Sequence, residues 1–183
     1  MTARRLRRSL AATIAALAFA APATAAAFEH QWHLGLDAGW AALSGEPTLH
    51  GYGGGAHLAY GLNDTFNAML ELSLSRHPSG EALVGDASIG AAYVFDILEW
   101  VPYAGLMLSA DDVLSTNDAC DQPGAPVCTS TRLGLTVPLG LDYQLTRSFA
   151  VGAAVRYHML LVGGDGTGAY LTAFARAEYV WGY

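Results

Sequence analysis

The stretch AYLTAFARAEYVWGY, Ala169 to Tyr183, constrains the fold more than any other. Read at a period of two, it places Leu171, Ala173, Ala175, Ala177, Tyr179, Trp181 and Tyr183 on one face, with Thr172, Arg176 and Glu178 on the other. The first face is wholly apolar and finishes in three aromatics. A sheet in water has to cover such a face with a second layer. A strand that crosses a bilayer leaves it to lipid and turns its charges inward.

The pattern recurs along the chain. From Ser148 to Val162, Phe149, Val151, Ala153, Val155, Tyr157 and Met159 alternate with Gly152, Ala154, Arg156 and His158. From Thr131 to Leu145, Leu133, Leu135, Val137, Leu139, Leu141 and Tyr143 alternate with Arg132, Gly134, Thr136, Gly140 and Asp142. Pro138 interrupts this second segment and signals a bulge or an edge, because proline cannot donate to a ladder. Phe66 to His77 sets Phe66, Ala68, Leu70, Leu72 and Leu74 outward against Asn67, Glu71, Ser73 and Ser75. Leu83 to Ile97 sets Ile89, Ala91, Tyr93, Phe95 and Ile97 against Asp86, Ser88, Gly90 and Asp96. Gln31 to Leu43 sets Trp32, Leu34, Leu36, Ala38 and Trp40 against His33, Asp37 and Gly39, and His50 to Leu62 is glycine-rich around His57. Trp100 to Val113 is too apolar for its faces to be told apart.

The N-terminus is of another kind. Arg4, Arg5, Arg7 and Arg8 precede an apolar run from Leu10 to Ala21 and small residues at Ala23 and Ala25, the anatomy of a secretory signal peptide over residues 1–27. The apolar run is shorter than the roughly 20 residues a spanning helix requires. Its removal takes four of the nine basic residues and none of the sixteen acidic ones, leaving a formal balance of −11 for the barrel over 28–183. That charge repels a phosphate backbone and argues against nucleic acid as a partner. Cys120 and Cys128 lie close together around Pro and Gly in an exported chain, which reads as a disulfide closing a surface loop.

Eight alternating segments of spanning length imply an all-β chain: an eight-stranded antiparallel up-and-down transmembrane β-barrel, with both ends on one side. Tight turns at Leu62–Thr65, Ile97–Trp100 and Leu145–Ser148 contrast with longer links at Ser44–Leu49, Pro78–Ala82, Asp111–Ser130 and Gly163–Gly168. Those two kinds of connection match periplasmic turns and extracellular loops. A soluble lipocalin-like barrel would instead turn its apolar side inward, around a ligand. On these residues the chain resembles the small eight-stranded outer-membrane barrels of the OmpA transmembrane domain, OmpX and OmpW type. The resemblance implies residence in the bacterial outer membrane after export through the periplasm, with lipid as surroundings. It also implies that Tyr179, Trp181 and Tyr183 form the signal read by the barrel-assembly machinery, although the family's usual last residue is Phe. For activity it implies anchors, adhesins, narrow channels or a few lipid-modifying enzymes, and it leaves any extracellular ligand unspecified.

The inward positions collect Asp37, His57, Glu71, Asp86, Arg132, Asp142, Arg156, His158, Arg176 and Glu178, together with His33. In so narrow an interior these charges are expected to pair, Arg156 and Arg176 with Glu71, Glu178 or Asp37, since an uncompensated buried charge costs several kcal/mol. An eight-stranded interior is just wide enough to be filled by its own side chains, which favours a structural or surface-interacting protein without catalysis. The rival is a narrow channel for small or hydrophobic solutes, with Gly51, Gly53, Gly55, Gly134, Gly140, Gly152 and Ala154 leaving space. In the filled reading, those small residues accommodate neighbours such as Phe174 and Tyr170. Third is a lipid-modifying enzyme. VRYHML is similar to the strand of outer-membrane lipid A deacylases that use a His and a Ser, but the serine's position, two residues after His158, holds Leu160, and His158 is expected inward.

No cofactor or metal is expected. The spacings of His30, His33, His50, His57, His77 and His158 match no zinc signature, and GYGGG and GGDGTG lack the setting of phosphate or calcium loops. Trp32, Trp40, Tyr60, Phe66, Tyr93, Phe95, Tyr143, Phe149, Tyr179 and Trp181 fall near strand ends, as an interfacial aromatic girdle would.

Overall fold

A computed structural model describes residues 29–80, 82–95, 97–115, 128–162 and 169–182. The eight strands are β1 (Trp32–Leu43), β2 (Leu49–Gly61), β3 (Phe66–His77), β4 (Ala82–Val94), β5 (Trp100–Ser115), β6 (Cys128–Thr146), β7 (Phe149–Val162) and β8 (Ala169–Trp181). Each pairs antiparallel with its neighbours in sequence, and β1 pairs with β8, so the sheet closes into a barrel. Among the described residues the only helical turn is a 3-10 turn at Pro78–Gly80. The expected signal peptide lies outside the described residues, as do Cys120, Asp96 and Tyr183.

Closure satisfies every strand edge, which a bilayer demands because lipid offers no hydrogen bonds. The short turns are held locally. Asn63 Oδ1 accepts from the backbone N–H of both Thr65 and Phe66 at 2.9 Å, fixing the β2–β3 turn. The barrel's polarity is inverted relative to a soluble one. Every strand exposes a large apolar side chain on the outside, among them Leu36 at 71% and Leu108 at 66%, while twenty polar or charged residues among those described are buried. An apolar belt of that extent is unstable in water and stable against acyl chains, which disposes of the lipocalin-like alternative.

Three expectations need correction. The sequence places Asp111 at the start of a loop running to Ser130, but β5 continues to Ser115 and β6 starts at Cys128, so Asp111 is a buried ladder residue opposite Asp86 and Arg132. The segment expected to run to Ile97 ends at Val94, and Ile97 forms only an isolated bridge with Trp100. Pro138 makes neither a bulge nor an edge. The β5–β6 register is the same on both sides of it, the ladder lacking only the pairs at Gly105 and Leu106, and its ring rests against Gly105. The irregularities in β6 fall elsewhere, at Leu133/Gly134 and Gln144/Thr146 against β7.

The aromatic residues do not form two equal belts. At the turn end Trp32 packs against both Tyr60 and Trp181, Tyr93 against both Phe66 and Phe95, and Trp100 against Tyr143. Of the ten residues expected in the girdle, Trp40 alone lies toward the loop end, where it stacks on His50. The turn-side interface therefore carries most of the aromatic anchoring.

Candidate functional site: the barrel interior

Two apolar clusters, a polar layer and a smaller polar group nearer the loops occupy the lumen. Toward the loops, Ala41, Leu43, Val84 and Tyr170 pack together. In the turn half, Ala59, Met69, Ala92, Val94, Val101, Tyr103, Met107 and Ala154 form a larger cluster. β5 supplies Val101, Tyr103 and Met107 to it, and this apolar inner face is why the strand's sequence gave no polarity contrast.

Arg156 of β7 is the hub of the polar layer. Its Nη2 donates to Asp37 Oδ2 on β1 at 2.8 Å, and its Nε lies 2.7 Å from Glu71 Oε2 on β3. The second contact is close enough for an ion pair but is not aligned as a hydrogen bond. The guanidinium also lies 5.4 Å from the centroid of the Phe174 ring, within cation–π range. One side chain thereby joins three strands and β8.

Arg176 of β8 is a second hub. It reaches Glu178 and the Tyr103 hydroxyl, with Asp142 Oδ1 at 3.5 Å and Asp37 Oδ1 at 3.9 Å. His57 lies between the hubs, Nδ1 being 3.1 Å from Asp37 Oδ2 and Nε2 2.9 Å from Glu178 Oε1. His33 Nδ1 is 3.2 Å from the other oxygen of Glu178. Gly35 makes this possible, because a Cβ there would run into the His57 ring. Gly140 serves Tyr103 in the same way. At these two glycines the space a side chain would take is filled by a neighbouring ring.

Of the expected inward residues, Asp37, His57, Glu71, Asp142, Arg156, Arg176, Glu178 and His33 meet in this layer. Asp86, Arg132 and His158 belong to a separate group nearer the loops. There His158 Nδ1 is 2.8 Å from Thr136 Oγ1, 3.6 Å from Asp86 Oδ2 and 3.8 Å from Asp111 Oδ1. Asp111 and Tyr103 join these groups although alternation alone does not mark them as inward. The signal that could have found Asp111 is the run Leu106–Asp112, which alternates once Met107 and Ser109 are taken as inward.

A cavity of about 30 Å³ opens at the turn end, lined by His33, Asn67, Met69, Asp142, Arg176 and Glu178 among others. It has room for about one water, and Arg176 and Tyr103 stand on its wall. Tyr179 and Trp181 lie at the turn end of β8, their rings 5.9 Å apart.

A closed eight-stranded antiparallel barrel with a lipid-compatible exterior and a charged interior defines a class, the small β-barrels of the bacterial outer membrane. Residues 11–174 match the family described as outer membrane protein beta-barrel domain, and the chain belongs to that family. It is a bacterial outer-membrane protein. Solved structures agree in fold. Neisserial surface protein A is 20% identical with a TM-score of 0.67, covering 83% of this chain and 97% of its own. Ail, the attachment invasion locus protein of Yersinia pestis, is 16% identical with a TM-score of 0.61, covering 84% and 99%. The N-terminal barrel domain of Pseudomonas aeruginosa OprF is 16% identical with a TM-score of 0.57, covering 84% and 98%. No curated protein matches the chain.

Proposed function

We propose that the protein is a non-catalytic outer-membrane barrel whose plugged lumen gives a rigid stem and whose loops carry any interaction with the surroundings. The observation that carries this reading is the pair of arginine hubs. Arg156 and Arg176 stand across the interior between β1, β3, β6 and β8, with one apolar cluster toward the loops and another packed beside Arg176 in the turn half. His158 is buried in the lumen and the position two residues after it holds Leu160, which supports a role without catalysis. In this reading residues 1–27 direct export and are removed, Cys120 and Cys128 close the loop between β5 and β6, and Tyr179, Trp181 and Tyr183 address the chain to the assembly machinery.

The loop segments also limit the partner. Residues 44–48, 78–81, 116–127 and 163–168 contain Glu46, Glu81, Asp118, Asp121 and Asp165 and no Lys, Arg or His. Ail of Yersinia pestis has been solved with the heparin analogue sucrose octasulfate. An acidic loop set repels such a polyanion and suits a neutral or cationic surface. Conductance of the mature protein in planar bilayers, with Arg156→Ala and Arg176→Ala alongside, tests the plugged stem. A silent wild type is expected, with openings appearing only in the arginine variants. Discrete, reproducible openings in the wild type would overturn the reading in favour of a narrow channel.

A further inference from the structure

Asp86 on β4 and Asp111 on β5 stand directly opposite one another in an antiparallel ladder, both facing the lumen. Like charges in that position repel. Burial makes the conflict worse, since Asp86 is 6% exposed, Asp111 1% and His158, beside them from β7, 0%. Ser88 donates to Asp86 Oδ2 at 2.8 Å and Ser109 to Asp111 Oδ2 at 3.1 Å, which orients both carboxylates. The remaining oxygens, Asp86 Oδ1 and Asp111 Oδ1, have no hydrogen-bond partner outside the pair.

The charge inventory of the interior leaves room for a cation. Among the described residues six buried carboxylates face three buried guanidinium groups. Two of those arginines, with His33 and His57, serve the layer around Asp37, Glu71, Asp142 and Glu178. Arg132 faces Asp111 across the β5–β6 ladder and offsets one of the two remaining charges. His158 does not close the gap directly. Its Nδ1 bonds Thr136 and stands 3.6 and 3.8 Å from the carboxylates, beyond hydrogen-bond length.

We propose that Asp86, Asp111 and His158 form a buried binding site for one divalent cation of the zinc or manganese type. One ligand atom from each residue lies within 4.8 Å of the other two. Three atoms so placed can all be reached from a central point at about 2.8 Å or less, so modest side-chain rotation reaches the roughly 2.0–2.2 Å of zinc–carboxylate and zinc–imidazole bonds. Two hard oxygens and one imidazole nitrogen suit zinc or manganese better than calcium, which takes more ligands, all oxygen. Ser88 and Ser109 orient the carboxylates as outer-shell partners do in metal sites. The Tyr170 ring lies 4.8 Å from that of His158 on the loop side, so the ion is enclosed as the barrel closes rather than exchanged freely.

The test uses the whole mature protein without a histidine tag, unfolded in urea with chelator, desalted, and refolded into detergent with Zn²⁺ alone. Metal is counted by mass spectrometry after gel filtration, and folding is checked by heat-modifiable gel mobility. About one Zn²⁺ per chain is expected, with retention at least about tenfold lower in a folded Asp86→Asn/Asp111→Asn variant. Co²⁺ in place of Zn²⁺ should give visible d–d bands in the wild type, a readout that needs no variant. Less than about a tenth of an ion per wild-type chain would overturn the proposal and leave a shared proton as the link between the carboxylates. Equal retention in the folded variant would also overturn it, placing the metal on exposed groups such as His30 and His50. If the double variant fails to fold, an absent Co²⁺ band in the wild type is decisive against the site.

Discussion

Replacing Arg156 with Met keeps most of the side chain's length and removes its charge, and the consequence falls unequally on its two partners. Asp37 keeps His57 at 3.1 Å and Arg176 at 3.9 Å. Glu71, in contrast, has no other ion pair among the described residues. At an effective dielectric of about 20, two unit charges 2.7 Å apart, as Arg156 Nε and Glu71 Oε2 are, attract by about 6 kcal/mol before desolvation is counted. Measured losses on removing one partner of a buried pair are about 3–5 kcal/mol, because the other charge is stranded. Arg156→Met should therefore lower the urea midpoint of the refolded barrel by roughly 1–2 M, at a slope of about 2–3 kcal/mol per M. Adding Glu71→Gln removes the stranded charge and should restore about 2 kcal/mol or more. Tryptophan fluorescence and heat-modifiable mobility, followed together across the urea series, measure both effects. A cost under about 1 kcal/mol for Arg156→Met, or a deeper loss on adding Glu71→Gln, would mean that Glu71 is not stranded when Arg156 is removed.

Other expectations use the same unfolding assay. Leu36→Arg puts a charge on the lipid face near the middle of β1 and should cost about 2–4 kcal/mol, and a neutral result would contradict the face assignment. Tyr170→Phe removes the 2.6 Å bond from its hydroxyl to Ser75 Oγ and should cost about 1–2 kcal/mol, measured as a lower urea midpoint. Gly140→Ala drives a methyl group into the Tyr103 ring and should cost about 1–3 kcal/mol, most of it recovered by adding Tyr103→Leu. In cells, Tyr179→Ala with Trp181→Ala should slow insertion, read as periplasmic accumulation of unfolded chain, with little change in the stability of barrels already folded.

The architecture was legible because lipid and a charged lumen impose opposite demands on alternate residues. β8 shows it plainly, with Ala175 outside and Arg176 inside. The same logic fails in β5, where Val101, Tyr103 and Met107 line an apolar part of the lumen and both faces read alike. Arg156 and Arg176 were recognisable as inward cations, yet alternation says nothing about which carboxylate each one meets across the interior. Asp111 was misplaced because two adjacent acids look like the start of a loop. The cluster of Asp86, Asp111 and His158 left no trace in residue spacing, since its members come from β4, β5 and β7 and become neighbours only when the sheet curls.

The pairing of β1 with β8 joins residues some 140 positions apart, as His33 and Glu178 are, and closing so long a loop makes it the entropically costly contact of the fold. Asp37 stands directly opposite Arg176 in that ladder. The smallest slip that preserves the inward and outward faces is two residues, and it would set Arg176 against Gly35 or Gly39. Glu178 would move with it, away from His33 and His57. A barrel closed out of step thus leaves buried charges without their partners, while a barrel in step pairs them. The buried ions therefore single out one register of the closing seam, the one in which Asp37, Arg176 and Glu178 all meet their partners.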